Sequence, residues 1–89
     1  MRWTPHYTHR AVKDLKKIDK PTARRILHKI NWFCATGDPL KFSKNLTGPL
    51  TGLYRFRIGD WRVIFDINLR GTLSILLVLN VKHRKEVYE

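Results

Sequence analysis

Apolar residues recur at helical spacing through the first third of the chain and alternate one by one further on. From Thr8 onward Ala11, Val12, Leu15 and Ile18 fall three or four positions apart, while Arg10, Lys13, Lys16 and Lys17 fill the other face. Thr8 is an N-cap by residue type. Asp19-Lys20-Pro21 ends this helix and starts a second, with Asp19 as cap and Pro21 in the first turn. Ala23, Ile26, Leu27, Ile30, Phe33 and Cys34 supply its apolar stripe, and Gly37 is a stop. So short a breaker makes the two helices an antiparallel hairpin.

The period changes at Tyr54. Tyr54, Phe56 and Ile58 lie on one side of a strand, and Trp61, Val63 and Phe65 lie on one side of the next. Gly59-Asp60 between them is a two-residue loop with Gly first, the type II′ signal, which pairs Ile58 with Trp61, Arg57 with Arg62, Phe56 with Val63 and Arg55 with Ile64. Residues 38–52, with two prolines and two glycines, read as a loop pinned by Leu40, Phe42 and Leu46. After a turn at Asn68 to Gly71, the apolar run from Thr72 to Val81 suits a central strand buried on both faces. A short strand at Arg2-Trp3-Thr4 is ended, or confined to a sheet edge, by Pro5. The order β-α-α-β-β-β predicts a single α+β domain spanning residues 1–89, with an N-terminal helical hairpin packed on a small antiparallel β-sheet.

Charge then gives the hairpin a second meaning. Eighteen Lys and Arg against seven Asp and Glu leave a formal charge of +11, a field that attracts nucleic acid, acidic protein segments or anionic lipid. Strand alternation sets Arg55, Arg57 and Arg62 together on the face opposite the aromatic one. Directly opposed like charges cost roughly 0.2–1 kcal/mol per cross-strand pair, so Arg57 against Arg62 is unfavourable unless an anion lies between them. A phosphate is the natural candidate. The plainer alternative is a solvated outer face of a half-buried strand pair.

Other residues narrow the chemistry. Cys34, alone and in an apolar stripe, reads as a small core residue rather than a nucleophile. His6, His9 and His28 are scattered, and no Cys, His and carboxylate cluster has metal-site spacing, so neither metal nor cofactor is expected. Trp3 and Trp61 read as packing residues, with Trp32 open. Arg24, Arg25, His28 and Lys29 read mainly as solubilising charge on the exposed side of the second helix. No apolar run approaches the roughly 20 residues of a membrane span, and the N-terminus lacks a signal-peptide core, so a cytoplasmic location is expected.

The helical hairpin, the stretch L-T-G-P-L-T-G-L-Y-R-F-R-I-G-D-W-R-V-I-F at 46–65, and the apolar strand ending V-K-H-R-K-E-V-Y at 81–88 together resemble the RelE/ParE superfamily of toxin–antitoxin toxins, closest to its RelE-type members. The resemblance implies two N-terminal helices on a small antiparallel sheet. It also implies a cognate antitoxin that wraps the toxin. RelE-type members are endoribonucleases that cut messenger RNA in the ribosomal decoding site, so ribosome and mRNA are the implied partners. ParE-type members instead poison DNA gyrase. Residue by residue, Arg55 and Arg57 match two basic hairpin positions, lysines in the best-known RelE-type member, and Arg62 matches an arginine of the next strand. Tyr88 matches a tyrosine beside the scissile phosphate, and His83 and Arg84 fall in a variable basic cluster.

Cleavage by a 2′-hydroxyl needs a base, an acid and positive charge on the phosphorane. Arginine binds phosphate oxygens bidentately, yet its pKa above 12 disqualifies it as a base at neutral pH. A lysine-based scheme therefore does not transfer to Arg55 and Arg57. The expected catalytic set is Arg57 and Arg62 on the phosphate, with His83 and Tyr88 in proton transfer or orientation and Glu86 as a third candidate. Arg55, Lys82, Arg84 and Lys85 are expected RNA-binding residues. Two further readings remain open, a gyrase inhibitor and a nucleic-acid-binding module without catalysis.

Overall fold

In a computed structural model of the chain, which describes residues 2–70 and 73–86, strand gives way to helix at Thr8. The first strand, β1, is Thr4–Tyr7 and the first helix, α1, is His9–Lys16. The Thr8 hydroxyl accepts the Ala11 N–H at 3.1 Å, as an N-cap should, and donates to the Leu79 carbonyl at 2.8 Å. The second helix, α2, is Lys20–Ala35. Its Asp19 cap accepts both the N–H and the hydroxyl of Thr22, which hold the Asp19 carboxyl below the usual carboxylate range. Gly37 follows with φ 85°, the left-handed value that ends a helix.

The remaining strands are β2 at Ser43–Asn45, β3 at Tyr54–Ile58, β4 at Trp61–Arg70 and β5 at Leu73–His83. Among the described residues they form with β1 a five-stranded sheet in the order β1-β5-β4-β3-β2. The sheet is mixed, not purely antiparallel, because β1 pairs parallel with β5. The helical hairpin carries the chain away from β1 to the far edge, leaving β1 to be joined by the last strand. Pro5 lies within β1 rather than at its end, and the strand is an edge one, where a missing N–H is tolerated. The expected loop at 38–52 contains the edge strand β2, three residues too short to show an alternation, between 3₁₀ turns at Pro39–Phe42 and Gly48–Leu50. Asn68 lies in β4, not in a turn, while Gly71 and Thr72 lie outside the described residues.

The β3–β4 register is Ile58 with Trp61, Arg57 with Arg62, Phe56 with Val63 and Arg55 with Ile64. Gly59 has φ 59°, and no described non-glycine residue has positive φ, so only the first loop residue is left-handed, as type II′ requires. The helices cover the aromatic face. Phe33 of α2 packs at a tilt against Phe56 at 4.4 Å between centroids, and Phe56 stacks on Phe65 at 4.1 Å. Ala11, Ile26, Ile30, Leu76 and Val78 complete a fully buried core, with Trp3 and Cys34 beside it. Strand β5 is central, but only Ser74, Leu76 and Val78 on the helix side of its first half are buried. Ile75 and Leu77 on the other side are half-exposed, so the expected burial on both faces holds on one.

Candidate phosphate-binding site

The face turned away from the helices carries the charge. Arg57 of β3 stands opposite Arg62 of β4, and Arg62 stands opposite Lys82 of β5. Directly paired residues share a face, so three cations form one row across three neighbouring strands. A parallel row, two residues along, contains Arg55, Ile64 and Asn80. Arg57 is exposed, whereas Arg55 and Arg62 are each only 9% exposed. The Arg62 Nη1 donates to the Gly59 carbonyl at 3.2 Å and the Trp61 carbonyl at 3.3 Å, so the turn holds its guanidinium. Asn80 contributes a buried side-chain oxygen with no hydrogen-bond partner among the described residues.

A β-bulge decides which tail residues join these rows. Phe65 pairs with Val78 but Ile64 pairs with Asn80, leaving Leu79 as the extra residue. One extra residue inverts the alternation, so Asn80 and Lys82 turn to the arginine face and Val81 turns to the core. His83 is inverted with them. It pairs with Trp61 and meets the Trp61 ring edge-on at 5.1 Å and 89°, on the helix side of the sheet. His83 therefore stands on the opposite face of the sheet from the three arginines, and Lys82 is the tail residue beside them. Strict alternation in the sequence hides the change, because a bulge is a property of the pairing and not of the strand.

Helix α1 holds the bulge. Beyond Val78 strand β5 has no β1 residue beside it, and α1 side chains satisfy the exposed backbone instead. Thr8 donates to the Leu79 carbonyl, and the Asp14 carboxylate accepts the Val81 N–H at 2.9 Å while ion-pairing with Arg10 at 3.6 Å. The tail beyond His83 is a 3₁₀ turn, Arg84–Glu86, folded against the hairpin. The Arg84 N–H donates to the Asp60 carbonyl at 2.7 Å, and its guanidinium lies 3.6 Å from the Asp60 carboxylate. The Lys85 N–H donates to His83 Nδ1 at 3.2 Å, and the His83 N–H points at Glu86 Oε1 at 3.4 Å. With Nδ1 accepting, a neutral His83 ring carries its proton on Nε2 and presents a donor there. Tyr88 lies outside the described residues.

One cation of the second helix, Arg25, lies near the hairpin turn. A methyl group built on Gly59 would stand 3.5 Å from the Arg25 guanidinium, so α2 brings a further cation over the hairpin turn. Its only trace in the sequence is a basic helix face. Asn80 had no trace at all, since its orientation depends on the bulge. Cys34 is buried and its thiol is pushed up to about 11 by desolvation, the opposite of a reactive thiolate. His6, His9 and His28 are exposed, and among the described residues no three His, Cys, Asp or Glu side chains gather as metal ligands. Among the described residues no helix is long and apolar enough to cross a membrane.

Known proteins share this architecture. The family model described as the ParE toxin of type II toxin–antitoxin systems matches residues 6–88. The toxin–antitoxin complex RelBE2 from Mycobacterium tuberculosis contains a chain of the same fold, with a TM-score of 0.78 at 24% identity over 94% of this chain and 100% of that one. The archaeal RelE–RelB complex from Pyrococcus horikoshii contains one at 30% identity and TM-score 0.69, covering 98% of this chain and 100% of the other. YafQ from E. coli has the fold at 16% identity, with a TM-score of 0.64 and full coverage of both chains. No curated protein matched. The family match spans both helices, all three strands of the cationic row and the bulge that completes it, and the chain accordingly belongs to the RelE/ParE superfamily, as a toxin of a type II toxin–antitoxin system.

Proposed function

We propose that this toxin is a ribosome-dependent endoribonuclease that cuts translated messenger RNA and so arrests translation. The observation that carries the reading is the Arg57, Arg62 and Lys82 row, three cations on adjacent strands of a rigid sheet. Preorganised charge aimed at a phosphorane contributes most to this kind of catalysis, and one face of a sheet holds it without reorganisation. In the step, the 2′-oxygen bonds to phosphorus as its proton passes to a base. The bond to the 5′-oxygen breaks, and that oxygen takes a proton from an acid, leaving a 2′,3′-cyclic phosphate and a 5′-hydroxyl.

Arg57 and Arg62 neutralise the phosphorane, and Lys82 adds a third positive charge. His83, at the end of β5, and Tyr88 take the proton-transfer or orienting roles, with Glu86 as the third candidate. A neutral Nε2–H is too weak an acid for the leaving oxygen, so His83 serves as acid only as the imidazolium. Arg55, Arg84 and Lys85 extend the contacts to the RNA backbone, Arg84 also tying the tail to the turn. A toxin with a charge of +11 must be silenced in its own cell, and an antitoxin with an acidic segment wrapping the basic face is the partner we infer. The cytoplasm, where ribosomes are, is the location that follows.

Primer extension on messenger RNA after brief expression tests the reading. Breaks within translated codons are expected, and Arg57→Ala or Arg62→Ala should lower cleavage about 100-fold or more. The ParE description of the family model favours one second reading, inhibition of DNA gyrase. Intact transcripts with DNA damage would establish that reading in place of the first.

A further inference from the structure

Beside the cationic row, on the helix side of the same strand ends, is a second basic feature. Arg10, Lys13 and Lys17, spaced three and four residues apart along α1, line an open cleft of about 480 Å³ whose other residues include Trp61 and Lys82 of the sheet. Two carboxylates also line it, and both are engaged. Asp14 pairs with Arg10 and caps the Val81 N–H, and Glu86 faces the His83 N–H. Lys13, Lys17 and Lys82 have no carboxylate within ion-pair distance among the described residues.

We propose that this cleft binds the phosphodiester backbone of a single RNA strand, and that it is the continuation of the path across the Arg57, Arg62 and Lys82 row. The two surfaces meet at Lys82, which pairs with Arg62 across the sheet and also borders the cleft at the strand ends. The half-buried indole of Trp61 beside lysines supplies the aromatic surface on which an unstacked base rests, the combination that favours a single strand over a duplex. The identity of that strand as substrate rests on the ribonuclease reading. The affinity of the cleft for RNA does not.

A short 2′-O-methyl oligoribonucleotide, which lacks the attacking hydroxyl, separates the two. Its binding to the full chain is measured by fluorescence anisotropy across a range of salt. The Lys13→Gln/Lys17→Gln variant should bind about tenfold more weakly at low salt. Its plot of log affinity against log salt should flatten by roughly 1.4, at about 0.7 for each phosphate no longer neutralised. The Lys16→Gln/Lys20→Gln variant removes the same charge from outside the cleft and should keep the wild-type slope. An unchanged slope in the first variant, or an equal loss in both, overturns the proposal. If the slope responds as expected while messenger RNA stays intact in cells, the cleft stands and the ribonuclease reading fails.

Discussion

A guanidinium placed directly across a strand pair from another guanidinium costs stability, and the protein keeps two of them there, with an ammonium next in the row. Asn80 is a second local cost on the same face, a buried oxygen without a donor among the described residues. Both are the kind of expense that a binding surface carries and a purely structural one sheds. Asn80→Leu should therefore raise stability by about 1 kcal/mol in urea unfolding, because it removes an acceptor that folding desolvates without compensation. A loss of stability would show that the oxygen is bonded after all. The arginines were legible in the sequence, since alternation and a two-residue loop place Arg55, Arg57 and Arg62 without further information. His83 was legible as a titratable group but not as to its face, and its proton position depends on a backbone N–H two residues away.

At the level of elements, the bulge at Leu79 matters most. It allows β5 to bury Val78 and Val81, three residues apart, on one face while Asn80 and Lys82 face the arginines. Helix α1 maintains it through Thr8 and Asp14, which makes those two residues positioning groups for the cationic row. Thr8→Ala removes the helix cap and the bond to Leu79 together and should cost about 1–2 kcal/mol. Asp14→Ala leaves the Val81 N–H without its acceptor and should cost about 1–3 kcal/mol. Both are measured by chemical denaturation, and an effect below about 0.5 kcal/mol in each, the size expected of a neutral surface change, would show that the bulge holds itself. The helices themselves were legible to within two residues, because caps and breakers act locally. The edge strand β2 was not, since three residues show no period and owe their conformation to β3.

For the whole molecule, charge and burial pull in different directions. The +11 charge draws the protein to polyanions and the core keeps ionisable groups neutral. Tyr7 is pushed up to about 12 by burial, with Cys34 adding to the effect, and Cys34 itself is pushed up to about 11. Both groups ionise more readily in the unfolded chain, near 10 and 9, so the unfolded state is favoured as pH rises through that range. Stability should be unaffected by these two groups below about pH 9 and decline between about pH 9 and 12. Urea midpoints at about pH 8 and about pH 10.5 check this, and equal midpoints would contradict it. The two helices, their caps, the hairpin register and the arginine face follow from the sequence by itself, because each depends on residues close together along the chain. Tertiary structure alone decided the parallel pairing of β1 with β5, the bulge, the exchange of His83 for Lys82 and the cleft against α1. Each of these joins residues far apart in sequence, and local periodicity carries no information about which of them will meet.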